Sequence, residues 1–125
     1  MPYRILIVED EPIIGLDLAD MLQDAGYETV GIAKDMYAAL RFAKEQTIDL
    51  ATMDVQLARG TNGVETARKL WEDHEILSLF VSASLDPETR SQAASVNPVG
   101  FVEKPIAAGK IVDLLKAHFA GCASL

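Results

Sequence analysis

A chain of 125 residues with 11 Lys and Arg against 19 Asp and Glu carries a formal net charge of −8. That balance argues against direct nucleic-acid binding, which needs a basic face to meet phosphate. The length predicts a single domain over residues 1–125, with its core over about 3–120, and half the residues are hydrophobic, enough to bury a proper core. No apolar stretch approaches the ~20 residues of a membrane span. Arg4 and the short run Ile5–Val8 do not make a signal peptide. The lone Cys122 allows no internal disulfide, which fits a reducing compartment.

The elements alternate along the chain. Residues 4–8 form a continuous apolar run, the pattern of a strand buried on both faces. Pro12 then occupies a first helical turn, and Ile14, Leu18, Met21, Leu22 and Ala25 recur at helical spacing until Gly26 ends the helix. Residues 28–32 read as a more polar strand, suited to a sheet edge. Asp35 caps a second helix with Met36, Leu40 and Ala43 on its apolar face. Residues 49–53 form the next buried strand. Asn62 and Glu65 read as a capping box opening a helix over roughly 63–73. Leu77–Val81 is a fourth strand, and Asp86-Pro87 opens a fourth helix. Val99–Val102 is a short fifth strand. Ile111, Leu114, Leu115 and Phe119 mark the last helix.

Five strands alternating with five helices predict an α/β fold, a parallel sheet covered on both faces. Ligands of such sheets sit at the carboxyl ends of the strands. The residues there are Glu9, Asp10 and Glu11 after the first strand, Asp54 after the third, Ser82 after the fourth and Lys104 after the fifth. If the first and third strands are neighbours, their ends lie roughly 5 Å apart, and Glu9, Asp10 and Asp54 converge. Gathered carboxylates repel each other and need a cation or a proton. An all-oxygen ligand set points to a hard ion such as Mg²⁺. Glu11 reads as a first-turn acid favoured by the helix dipole rather than a ligand.

With these residues in place, the chain resembles a response regulator receiver domain over essentially its whole length. The matching elements are Ile7-Val8-Glu9-Asp10-Glu11, Met53-Asp54, Val81-Ser82-Ala83 and Phe101-Val102-Glu103-Lys104-Pro105, each ending a strand of a (βα)₅ pattern. The resemblance implies a flavodoxin-like sheet of order 2-1-3-4-5. It implies Asp54 as phosphoacceptor, with Asp10, Asp54 and the backbone carbonyl of Gln56 holding Mg²⁺ and Glu9 reaching it through water. Ser82 would bind a phosphoryl oxygen, Lys104 would pair with Asp54 or its phosphate, and Lys104-Pro105 would be cis. Ser82 and Phe101 would form the switch. The implied donor is a sensor histidine kinase or histidine phosphotransfer protein in the bacterial cytoplasm. The implied output is an unnamed protein that reads the face of the fourth helix, fifth strand and fifth helix. A homodimer is left open.

The physics supports these roles separately. A carboxylate attacking an anionic phosphoryl group meets like-charge repulsion, which a metal ion and a lysine ammonium offset. The chain departs from the family pattern in three places. Ser82 stands where threonine is commoner, Phe101 has no hydroxyl, and the loop Val55–Asn62 lacks the usual proline and runs one residue longer. A metal-dependent aspartyl phosphatase would need a second acid two residues after the nucleophile, where this chain has Gln56. A flavodoxin-like FMN binder would need a hydroxyl- or glycine-rich loop where Glu9-Asp10-Glu11 stands. A receiver cut from a longer regulator is the remaining alternative. His74 and His118 sit away from strand ends, so neither is expected to carry phosphate, and Trp71 reads as helix packing.

Overall fold

Strand β1 (Arg4–Val8) lies at the centre of the sheet, because every one of its last four side chains is buried and only a central position covers both faces. The computed structural model describes residues 2–83 and 85–123. Along the chain follow α1 (Pro12–Asp24), β2 (Glu28–Ala33), α2 (Met36–Glu45), β3 (Leu50–Met53), α3 (Gly63–His74), β4 (Ser78–Ser82), α4 (Pro87–Ala94), β5 (Gly100–Glu103) and α5 (Ala108–Ala123). A 3₁₀ turn at Ala58–Gly60 interrupts the β3–α3 connection. The strands are parallel in the order β2-β1-β3-β4-β5, as expected. The half-buried, more polar β2 takes an edge. No described helix is long and apolar enough to cross a membrane.

Helix starts follow side-chain oxygens. Asp35 accepts from the Ala38 amide and Asp86 from the Thr89 amide, each at 2.8 Å. Asn62 accepts from the Val64 and Glu65 amides at 2.7 and 3.3 Å. The reciprocal half of the expected capping box is not made: Glu65 turns to Arg68, one turn on, at 3.6 Å. Gly26, at φ 95°, follows the end of α1 in a conformation that favours glycine. The apolar face of α2 centres on Ala39, which is buried, while Met36, Leu40 and Ala43 flank it half-buried.

Alternation along each strand divides the interior in two. Leu6, Val8, Ala51, Met53 and Phe80 face α2, α3 and α4, meeting Ala39, Leu70 and Ala93. Ile5, Ile7, Leu50, Leu79 and Val81 face α1 and α5, meeting Leu18, Leu22, Ile111, Leu115 and Phe119. Trp71 packs half-buried against the first group, as expected for a packing residue. Truncating any of the fully buried leucines to alanine is expected to cost about 2–5 kcal/mol. The side chain of Cys122 lies outside the described residues.

Candidate functional site

The register of β1 on β3 sets the site. Val8 pairs with Met53, and the Asp54 amide donates to the Val8 carbonyl at 3.0 Å. Glu9 and Asp54 therefore leave the sheet side by side, and both are nearly fully buried. Asp10 and Glu11 follow, exposed to solvent. One carboxylate oxygen from each of Glu9, Asp10, Glu11 and Asp54 lies within 4.8 Å of the others.

Lys104 is delivered from the other side. Its amide donates to the Ser82 carbonyl at 3.0 Å, tying it to the end of β4, and its peptide bond to Pro105 is cis. Its ammonium lies 2.8 Å from Glu9 Oε1, 3.1 Å from Asp54 Oδ2 and 3.5 Å from Glu11 Oε1. The contact with Asp54 is a hydrogen bond. The closer approach to Glu9 is an ionic contact without hydrogen-bond alignment, and Glu9 Oε1 is buried with no hydrogen-bond partner. Glu9 Oε2 accepts from the Glu11 amide at 3.1 Å.

These neighbours shape the charges. Burial pushes the Glu9 carboxyl up from 4.5 to about 7, with Asp54 adding to the rise and Lys104 opposing it. Burial alone would lower the Lys104 ammonium, but Glu9 and Asp54 outweigh it and raise the group above its ordinary value.

A small open cleft gathers Asp10, Glu11, Asp54, Gln56, Ser82, Ala83 and Lys104. Glu9 lies buried at its floor, against Lys104. The structure thus brings together the sequence-derived residues Glu9, Asp10, Asp54, Gln56, Ser82 and Lys104. Phe101 lies deeper. It pairs with Phe80, Ser82 pairs with Glu103, and so Ser82 and Phe101 share one face of the sheet. The Phe101 ring stacks on Phe80 at 5.7 Å, and the Arg90 guanidinium covers it at 5.0 Å from the centroid. Neither His74 nor His118 lines the cleft, and His118 packs edge-on against Phe119.

Glu11 departs from expectation. The helix begins at Pro12, so Glu11 sits one residue before the first turn, caps nothing with its side chain, and points its carboxylate back to Lys104. The signal in the sequence was the third consecutive acid after a buried strand. Gly63 was missed altogether. Its Cα abuts the Asp54 carbonyl so closely that a Cβ would stand 1.9 Å from that oxygen. Only glycine lets α3 begin against the back of Asp54.

The acidic group fits a hard divalent cation: four carboxylates with an oxygen each within 4.8 Å of one another, no histidine or cysteine among them, and Glu9 Oε1 buried without a hydrogen-bond partner.

Comparison with known proteins adds a second line. The model of the response regulator receiver domain matches residues 5–116. The transcriptional regulatory protein PdtaR of Mycobacterium tuberculosis is 32% identical over 117 residues, covering 94% of this chain and 55% of that protein. The chain therefore spans little more than half of that relative. The polar-differentiation response regulator DivK of Brucella anthropi is 27% identical, covering 94% of this chain and 97% of its own length. Among solved structures, the signal receiver domain of a modulated diguanylate cyclase from Desulfovibrio desulfuricans superposes with a TM-score of 0.87 at 32% identity, covering 94% and 93% of the two chains.

Proposed function

Because this chain belongs to the response regulator receiver domain family, we propose that it is a phosphorylation switch whose acceptor is Asp54. The donor is a phosphohistidine on a sensor histidine kinase or a phosphotransfer protein, in the cytoplasm. One Asp54 carboxylate oxygen forms the new bond to phosphorus as the phosphorus–nitrogen bond of the donor breaks, and the freed imidazole takes up a proton.

The observation that carries this reading is the placement of Lys104. Its ammonium sits 3.1 Å from Asp54 in a cleft whose other charged residues, Asp10, Glu11 and Asp54, are all acidic. An anionic phosphoryl group approaching a carboxylate needs positive charge on the flank, and Lys104 supplies it. Ser82 lines the same cleft and offers its hydroxyl to a phosphoryl oxygen. Asp10, Asp54 and the Gln56 carbonyl would hold Mg²⁺, with Glu9 reaching it through water. The bound ion would draw charge off the transferring oxygens. Glu9 keeps Lys104 anchored at the floor of the cleft before the donor arrives.

Output follows from the shared face of Ser82 and Phe101. A Ser82 hydroxyl drawn toward phosphate changes the space above Phe101, and Phe101 packs under Arg90 of α4. The face of α4, β5 and α5 would then present different surfaces to an output protein with and without phosphate. The domain is a signalling element that assists its own phosphorylation and hydrolysis.

The test is phosphorylation by a small phosphodonor with Mg²⁺, read by intact mass. The wild type gains one phosphoryl group, and Asp54→Asn gains none, since an amide is not a competent nucleophile. Chelating the metal stops the reaction. Full phosphorylation of Asp54→Asn would overturn the assignment.

A further inference from the structure

The segment between Asp54 and α3 is a miniature hairpin. Gln56 bridges Asn62 in antiparallel fashion, and the Leu57 amide donates to the Thr61 carbonyl at 3.4 Å. Its base is fixed, because the Gly63 amide donates to the Val55 carbonyl at 2.7 Å. Its tip is under strain. Arg59 holds φ 59° and ψ 30°, a region sparsely populated by residues with a side chain, and Gly60 follows at φ 67°. Such a conformation persists only where surrounding contacts hold it.

Those contacts come from the junction of β2 and α2. Asp35, only 2% exposed, accepts through Oδ1 from the Ala38 amide at 2.8 Å and pairs through Oδ2 with Arg59 Nε at 3.3 Å. The Ala58 amide donates to the Lys34 carbonyl at 3.0 Å, and the Met36 amide to Thr61 Oγ1 at 3.3 Å. A carboxylate this deeply buried is costly without a charged partner, and Arg59 is the ion-pair partner it has among the described residues. The pair therefore adds a charged tie to the two hydrogen bonds that join these loops.

We infer that Asp35, acting through Arg59, is a positioning residue that fixes the backbone carbonyl of Gln56 in the cleft and so sets the affinity for Mg²⁺. This rests on the metal reading given above. Asp35 does not line the cleft; its effect passes through the hairpin, whose tip it pins and whose stem carries Gln56.

Mg²⁺ titration by calorimetry, with thermal stabilisation as a second readout, tests the inference on the whole chain. Asp35→Asn keeps an acceptor for the Ala38 amide and loses the ionic hold. Arg59→Gly removes the guanidinium and also the backbone strain, so this variant retains its fold. Both are expected to weaken Mg²⁺ binding by about tenfold, the scale of supporting contacts around metal sites. The double variant should be no worse than either single one, because the two residues act as a unit. Arg59→Lys should recover part of the loss. Lowered melting temperatures with unchanged Mg²⁺ dissociation constants would make the pair merely structural and overturn the inference. A wild type that binds no Mg²⁺ would overturn the metal reading and this inference with it. A wild type that binds while both variants bind equally well would overturn the inference alone.

Discussion

The ammonium of Lys104 stands closer to Glu9, at 2.8 Å, than to Asp54, at 3.1 Å. The lysine thus leans on the acid that is buried and raised, and this gives the metal-free fold a pH signature. Glu9 titrates at about 7 when folded, against 4.5 as its ordinary value. Between those values the folded state holds a proton that the unfolded chain has released. Stability then falls as pH rises, by linkage. Below about 4.5 the contribution is fully present, and above about 7 it is lost. In the presence of chelator, the urea midpoint of the wild type should drop more between pH 5 and 8 than that of Glu9→Gln. Parallel pH profiles for the two proteins would show that Glu9 is not the group responsible.

Asp10 is the member of the acidic group that Lys104 does not reach; among the described residues no cation lies within 4 Å of it. Its repulsion of Asp54 and Glu9 is therefore uncompensated without metal. Asp10→Asn should stabilise the metal-free protein by up to about 1 kcal/mol, the usual ceiling for solvent-exposed charge pairs. It should also lose most of the stabilisation that saturating Mg²⁺ gives the wild type. Equal gains from Mg²⁺ in both proteins would exclude Asp10 as a ligand. Denaturant titrations with and without the ion are sufficient.

Gly63→Ala places a methyl group 1.9 Å from the Asp54 carbonyl oxygen and 2.8 Å from the Val55 Cα. Backbone cannot yield as a flexible side-chain end can. The expected loss is at least about 1–3 kcal/mol, the range for overpacked sites, together with slower phosphorylation of Asp54 in whatever fraction folds. Chemical denaturation measures the first and phosphorylation time courses the second. A variant as stable as the wild type would mean that the start of α3 can slide away from Asp54.

Phe101 is stacked on Phe80 and covered by Arg90 rather than held outward by a hydroxyl. Apolar burial favours the inward ring. The wild type should therefore show more active-like character before phosphorylation than Phe101→Tyr, and a shallower response to a beryllofluoride mimic. Amide shifts on α4, β5 and α5 report both. Arg90→Ala should cost about 0.5–1 kcal/mol as the cation–π contact is lost, and should shift the same resonances. Ser82→Ala should blunt the mimic's effect in each background. If the wild type is no more active-like than Phe101→Tyr, the ring position is not governed by burial.

The parts of the fold that were legible in the sequence are those with local causes. Asp35, Asn62 and Asp86 announce helix starts because a short side-chain oxygen at that position satisfies the first free amides. The continuous runs at Ile5–Val8 and Leu50–Met53 announce central strands because only burial on both faces tolerates them. Legibility ended where a residue's role depends on a distant partner. Glu11 was assigned to the dipole of its own helix, and the ammonium that claims it is 93 positions away. Gly63 carries no pattern at all, since its purpose is the absence of an atom beside Asp54. The loop Val55–Asn62 has no periodicity to read, and its shape comes from Lys34, Asp35 and Met36 across the sheet edge. The apolar face of α2 was legible at Leu40 and Ala43, which pack against the core, while Ala39, its buried centre, has too small a side chain to announce itself.

The division of the interior by the sheet has a bearing on how this molecule can change. Side chains such as Leu70 and Leu115 lie in different layers with the strand backbones between them. Damage to one should add to damage in the other, whereas two lesions within one layer should interact. The layer under α4 also holds Phe101 and Arg90, while the layer under α1 and α5 holds neither. Sequence drift beneath α1 and α5 can therefore alter one layer while the packing of Phe101 under Arg90 stays intact. The molecule has two separately tunable layers that share a single sheet.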